Sequence, residues 1–175
     1  MRAPVAKAPS LRNLNGMRRA FLALTVAIAL SGPAAAKDSL GVYSKWAAFR
    51  DADTPRCYAI AKPRGNRPES YASIANWPRQ GVRGQVYLRL SRKAQSDRGA
   101  TLRIGDRAFA LAVDGRNAWA QDKAMDAAIV AALRSATSMR VSARTAAGRR
   151  FTDRYDLAGA ATAIDAAVVG CASLS

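Results

Sequence analysis

The stretch Gln85-Val86-Tyr87-Leu88-Arg89-Leu90-Ser91 alternates strictly between polar and apolar side chains. Successive side chains of an extended chain point to opposite faces, so Val86, Leu88 and Leu90 share one face and Gln85, Tyr87 and Arg89 the other. The same period of two runs outward in both directions. Leu102 and Ile104 repeat it, as do Phe109, Leu111 and Val113, and then Met139, Val141 and Ala143 against Arg140, Ser142 and Arg144. Residues 43–50, 57–62, 71–75 and 151–155 read as further strands. Asp53-Thr54-Pro55, Pro63-Arg64-Gly65-Asn66, Gly105-Asp106, Asp114-Gly115 and Ala147-Gly148 supply the turns between them. Many short strands with one apolar face predict an all-β fold, an antiparallel β-sandwich. Residues 37–40 and 172–175 read as loose ends.

Two segments abandon the alternation and predict two short helices, one mid-to-late in the chain and one at its end. Met125, Ala128, Ile129, Ala132 and Leu133 fall on one helical face, with Asp122 placed to cap its start. Ala160, Ile164, Ala167, Val168 and Cys171 share a face of the second helix. The strand positions Cys57, Ala59 and Ala61 are all small, which leaves room for that helix to lie across them.

The N-terminal residues read as a targeting segment. Met17-Arg18-Arg19 is a basic start, residues 20–30 (AFLALTVAIAL) are apolar, and Ala34-Ala35-Ala36 offers the small residues of a cleavage site. Residues 1–36 are therefore expected to be a signal peptide with an upstream extension beginning before Met17. Cleavage after Ala36 would leave residues 37–175 as a single domain without a permanent transmembrane anchor, because the apolar run is too short for one. The expected location is periplasmic or secreted, with association to the outer surface. In that oxidising setting Cys57 and Cys171, the two cysteines of the chain, are expected to form one structural disulfide that staples the last helix to its strand.

Of 175 residues, 28 are Lys or Arg, 12 are Asp or Glu, and none is His. Without histidine there is no Ser-His-Asp or Cys-His system, and G-x-S-x-G, Ser-x-x-Lys and phosphate-loop patterns are absent as well. The carboxylate pairs Asp51 with Asp53, Asp122 with Asp126, and Asp153 with Asp156 remain as material for a His-free hydrolase. Turn and helix-cap chemistry accounts for the first two pairs, and no metal or cofactor is expected. Arginine outnumbers lysine 22 to six, in two groups. Arg64, Arg67, Arg79 and Arg83, with Lys62, lie in loop-like sequence interleaved with Tyr71 and Trp77; Arg140, Arg144, Arg149 and Arg150 lie on a polar strand face and the turn after it, and Arg154 continues nearby. Both groups are candidates for binding polyanions such as acidic glycans or lipopolysaccharide, since guanidinium forks suit phosphate, sulfate and carboxylate groups. A solvated basic face is the alternative. Trp46, beside Tyr43 and Phe49, is expected in the core; Trp77 and Trp119 could be sugar platforms. Export would keep the chain from cytoplasmic nucleic acid.

Taken in order, several blocks resemble the invasion-associated locus B family of exported bacterial proteins. They are the strand with Trp46, Arg56-Cys57-Tyr58-Ala59-Ile60, residues 99–105 (GATLRIG), Phe109-Ala110-Leu111, residues 128–134 (AIVAALR), residues 139–143 (MRVSA), residues 155–159 (YDLAG) and residues 163–167 (AIDAA). The family commonly has cysteines where this chain has Phe49-Arg50 and Asn117-Ala118-Trp119-Ala120, which leaves Cys171 as the partner of Cys57. The resemblance implies a β-sandwich in the periplasm or on the outer surface, in a family linked to host-cell adhesion and invasion. It supplies no catalytic residues. The expectation is a non-enzymatic envelope protein that binds acidic glycans, with an envelope-assembly factor paired to another protein as the alternative.

Overall fold

A computed structural model of the chain describes residues 37–67 and 69–174. The expected signal peptide, residues 1–36, lies outside the described residues. Among the described residues ten strands follow one another: β1 (Asp38–Tyr43), β2 (Trp46–Asp51), β3 (Arg56–Ala61), β4 (Tyr71–Trp77), β5 (Val82–Arg89), β6 (Ala100–Ile104), β7 (Arg107–Asp114), β8 (Asn117–Trp119), β9 (Ser138–Arg144) and β10 (Arg150–Asp156). Helix α1 (Lys123–Ser135) separates β8 from β9, and α2 (Ala160–Gly170) follows β10. All pairings are antiparallel, in the order β1-β2-β3-β4-β5-β8-β7-β6-β9-β10.

The sheet is open but doubles over into a sandwich-like shape. Its two ends meet where the Arg64 amide donates to the Arg154 carbonyl (2.7 Å), Lys45 N–H to the Ala158 carbonyl (3.2 Å) and Trp46 Nε1 to the Asp156 carbonyl (2.9 Å). The inner face carries the apolar half of each alternation. Val86, Leu88, Leu90, Leu102, Ile104, Leu111, Met139, Val141, Phe151 and Tyr155 are all buried there. Trp46 is fully enclosed, so its ring is core.

Both helices close this face as their patterns predict. Asp122 caps α1, its carboxylate accepting the Met125 amide at 2.7 Å, and Ile129, Ala132 and Leu133 are buried. Helix α2 lies across β1, β2 and β3, burying Ala160, Ala163, Ile164 and Ala167 over Ala48 and Ala59, which leave the required space. The Cys57–Cys171 disulfide is present, its Cα atoms 5.6 Å apart, and ties β3 to the residue that ends α2. That separation is the one at which two cysteines bridge without moving the backbone.

One expectation at the start of the domain is corrected. Residues 37–40 do not form a loose lead-in to one strand over 43–50. A two-residue turn at Ser44-Lys45, with Ser44 at φ 56°, divides the segment into the hairpin β1–β2, in which Tyr43 pairs with Trp46. The Tyr43 hydroxyl donates to the Leu40 carbonyl (3.0 Å) within the strand, and α2, far along the chain, packs against β1. Strand β8 is too short to show alternation, and only its place between β5 and β7 defines it.

Asp126 links α1 to the sheet by accepting the Val86 amide at 2.8 Å. Burial raises its pKa above the ordinary carboxylate value and the nearby Asp122 charge adds to this, against the Val86 hydrogen bond. The folded state therefore holds this proton more tightly than the unfolded chain, so ionisation at neutral pH works against folding, and the penalty fades as pH falls. Asp126→Asn, which keeps an acceptor for Val86, is expected to melt at or slightly above the parent at neutral pH. The difference should close towards about pH 4. A lower melting temperature for the variant at neutral pH would contradict this account.

Candidate functional site

The outer face of β6, β9 and β10 is where sequence alternation and strand register combine. Burying Leu102 and Ile104 turns Thr101 and Arg103 outward; burying Met139, Val141 and Ala143 does the same for Arg140, Ser142 and Arg144. On β10, Phe151, Asp153 and Tyr155 point in, and Arg150, Thr152 and Arg154 point out. Register then stacks like upon like. Arg103, Arg140 and Arg154 form one row across three strands, Thr101, Ser142 and Thr152 the next, and Arg144 pairs with Arg150 in a third.

With Arg98 and Gly99 at its rim, this face forms a shallow cavity of about 510 Å³. Ser142, which lines it, shares a hydroxyl hydrogen bond of 2.9 Å with Thr152 beside it, and Arg144 Nη1 reaches the Gly148 carbonyl at 2.8 Å; Arg154 likewise stands beside the cavity. Among the described residues, none of Arg98, Arg103, Arg140, Arg144, Arg150 and Arg154 forms an ion pair with a carboxylate. Asp156, the last outward residue of β10, is engaged by Arg64 at 3.3 Å and by the Ala158 amide. Those partners, the Ala158 amide first, hold its carboxyl below the usual range.

Like charges directly opposite each other across strands are destabilising, and a face needed only for solubility ordinarily mixes both signs. Here the repulsion is left in place. A bound anion with several oxygens would relieve it, taking forked hydrogen bonds from neighbouring guanidinium groups and single ones from the hydroxyl row.

The two arginine groups singled out from sequence fare differently. Arg140, Arg144 and Arg150 come together in this cavity, and Arg149 stands at the turn beside it. Arg154, read from the sequence as continuing this group, completes the row with Arg140. Arg103, Thr101 and Thr152 were missed, although their parity with Leu102 and Phe151 already turns them outward. The other four do not converge. Arg64 pairs with Asp156, and Arg67 bonds Ser91 Oγ at 3.0 Å and lies 3.4 Å from the buried Asp153. Arg79 and Arg83 are exposed near the short 3₁₀ turn Pro78–Gln80.

The carboxylates serve structural roles. Asp51 accepts the Thr54 amide and pairs with Arg56, whereas Asp53 is exposed. Asp153, fully buried on the inner face, accepts the Ser91 amide at 2.8 Å, so Asp153 and Asp156 point to opposite sides of β10. Trp77 donates to Gln85 (3.0 Å) beneath the Arg56 guanidinium, and Trp119 is 38% exposed on the outer face of β8.

The model of the invasion associated locus B (IalB) protein family matches residues 47–168. The chain belongs to this family. Its fold is similar to the crystal structure of invasion associated protein B from Bartonella henselae, with a TM-score of 0.56 at 16% identity, covering 74% of this chain and 95% of that one. At such identity the likeness is one of fold. No curated protein matches the chain. IalB proteins are associated with the cell envelope and are not a known enzyme family. In this member no helix of the described residues is long and apolar enough to cross a membrane.

Proposed function

We propose that this IalB protein is an exported, non-enzymatic envelope protein that holds a phosphate- or sulfate-bearing glycan, such as lipopolysaccharide, on the outer face of β6, β9 and β10. The observation that carries the reading is the row Arg103–Arg140–Arg154, three cations side by side without carboxylate partners among the described residues. Export is supported by the leader-like residues 1–36 and by a disulfide of the kind that persists in oxidising compartments. The non-enzymatic part is supported by the Asp residues above, which cap, turn or pair.

Binding of purified lipopolysaccharide and of a sulfated glycan is expected to weaken steeply between about 0.05 and about 0.5 M salt, as screening shortens the reach of the surface charge. Arg140→Glu, at the centre of the row, should weaken binding by at least about tenfold, the order of one lost charge-assisted hydrogen bond. Arg79→Glu makes the same change in net charge away from this face and should matter little. Equal losses from the two variants would show net charge at work and would remove the site.

A second reading, in which a protein partner adds a strand, is favoured by β1, which ends the sheet and leaves Val42 74% exposed. Cross-linking in intact cells separates the two, since this reading yields one defined protein adduct through β1.

A further inference from the structure

A groove of about 880 Å³ runs between α1, α2 and the β4–β5 hairpin, on a different part of the molecule from the arginine rows. Ile74, Val82, Val130, Ile164 and Val168 line it, and Val168, 50% exposed, carries the apolar surface out to solvent. Two polar groups stand at its β-hairpin end. Asn76 is only 6% exposed, and its Oδ1 accepts the Gly84 amide at 2.9 Å, which fixes the amide orientation. Its Nδ2 has no partner among the described residues but is closed off from the groove, so it is no contact for a ligand there. Arg83, next to Gly84, is exposed at the mouth and forms no ion pair with a carboxylate among the described residues, whereas Arg134 on α1 is held by Asp165 at 2.6 Å.

An apolar trough with one unpaired cation at its mouth is complementary to an amphiphile with a single anionic head. A peptide would need hydrogen-bonding partners along its whole length, and the groove walls supply few. We infer that this groove binds a long-chain fatty acid, its hydrocarbon between α1 and α2 and its carboxylate at Arg83.

The test is displacement of a fluorescent fatty acid, dansyl-undecanoate, by palmitate on the purified protein. Saturable binding at one site is expected. Ala131→Trp, which fills the groove from the exposed side of α1, should weaken palmitate at least tenfold without changing the melting temperature. Arg83→Glu should weaken palmitate several-fold but leave methyl palmitate unaffected, and Arg140→Glu should leave both unaffected, so this site and the glycan face fail or stand separately. Absence of saturable binding, or unchanged affinity in Ala131→Trp, would overturn the groove as the site. Equal binding of palmitate and its methyl ester by the parent protein would overturn the assignment of the carboxylate.

Discussion

Removing the Cys57–Cys171 bond, by reduction or by replacing both cysteines with alanine, is expected to lower stability by about 4–5 kcal/mol. The cysteines are 114 residues apart, so the bond withdraws a large share of the unfolded chain's freedom. Both sulfurs are buried, and α2 covers β3 through alanines, which contribute little area apiece. The helix therefore depends on its covalent tie more than a helix rich in leucine would. On a domain of this size the loss lowers the melting midpoint by roughly 10–20 °C. Urea titrations with and without reductant measure it directly, and coincident curves would refute the stabilising role.

Gly159→Ala should be comparably damaging through a different cause. Gly159 starts α2 at φ +85°, and a Cβ there would lie 1.8 Å from the Tyr43 carbonyl oxygen and 2.6 Å from its carbon. That carbonyl belongs to the β1–β2 hairpin, and the neighbouring Lys45 amide is already bonded to the Ala158 carbonyl, so neither side can yield cheaply. Left-handed strain and the clash together are expected to cost about 3–5 kcal/mol. Gly148→Ala is the control: its φ is +75°, but nothing lies within 4 Å of the added carbon. It should cost only about 1–2 kcal/mol, the backbone share alone. Equal losses in the two variants would show that the contact with Tyr43 is not the cause.

Much of the architecture was legible because it is local. Val86, Leu88 and Leu90 are buried as their alternation requires, Asp122 caps the helix it precedes, and the small face of Cys57, Ala59 and Ala61 receives α2. The missing parts depend on residues distant in sequence. Arg103 and Arg154 flank Arg140 only because β9 lies between β6 and β10 in a particular register, which no single strand's pattern encodes. Asp153 could have been read more closely. It sits between Phe151 and Tyr155 at inward parity, so a buried carboxylate was implied, and the Ser91 amide and Arg67 that receive it come from another part of the chain. The groove between the helices escaped for the same reason, since Asn76 and Val168 meet only after α2 is seated.

The strand order also bears on how quickly the chain reaches this arrangement. Apart from β5–β8 and β6–β9, every pairing joins strands consecutive in the chain and can arise as a hairpin. Those two junctions close long intervening segments, and loop-closure entropy makes them the slow encounters. Refolding should therefore be paced by the capture of β8 by β5 and of β9 by β6, with the hairpins on either side assembling first.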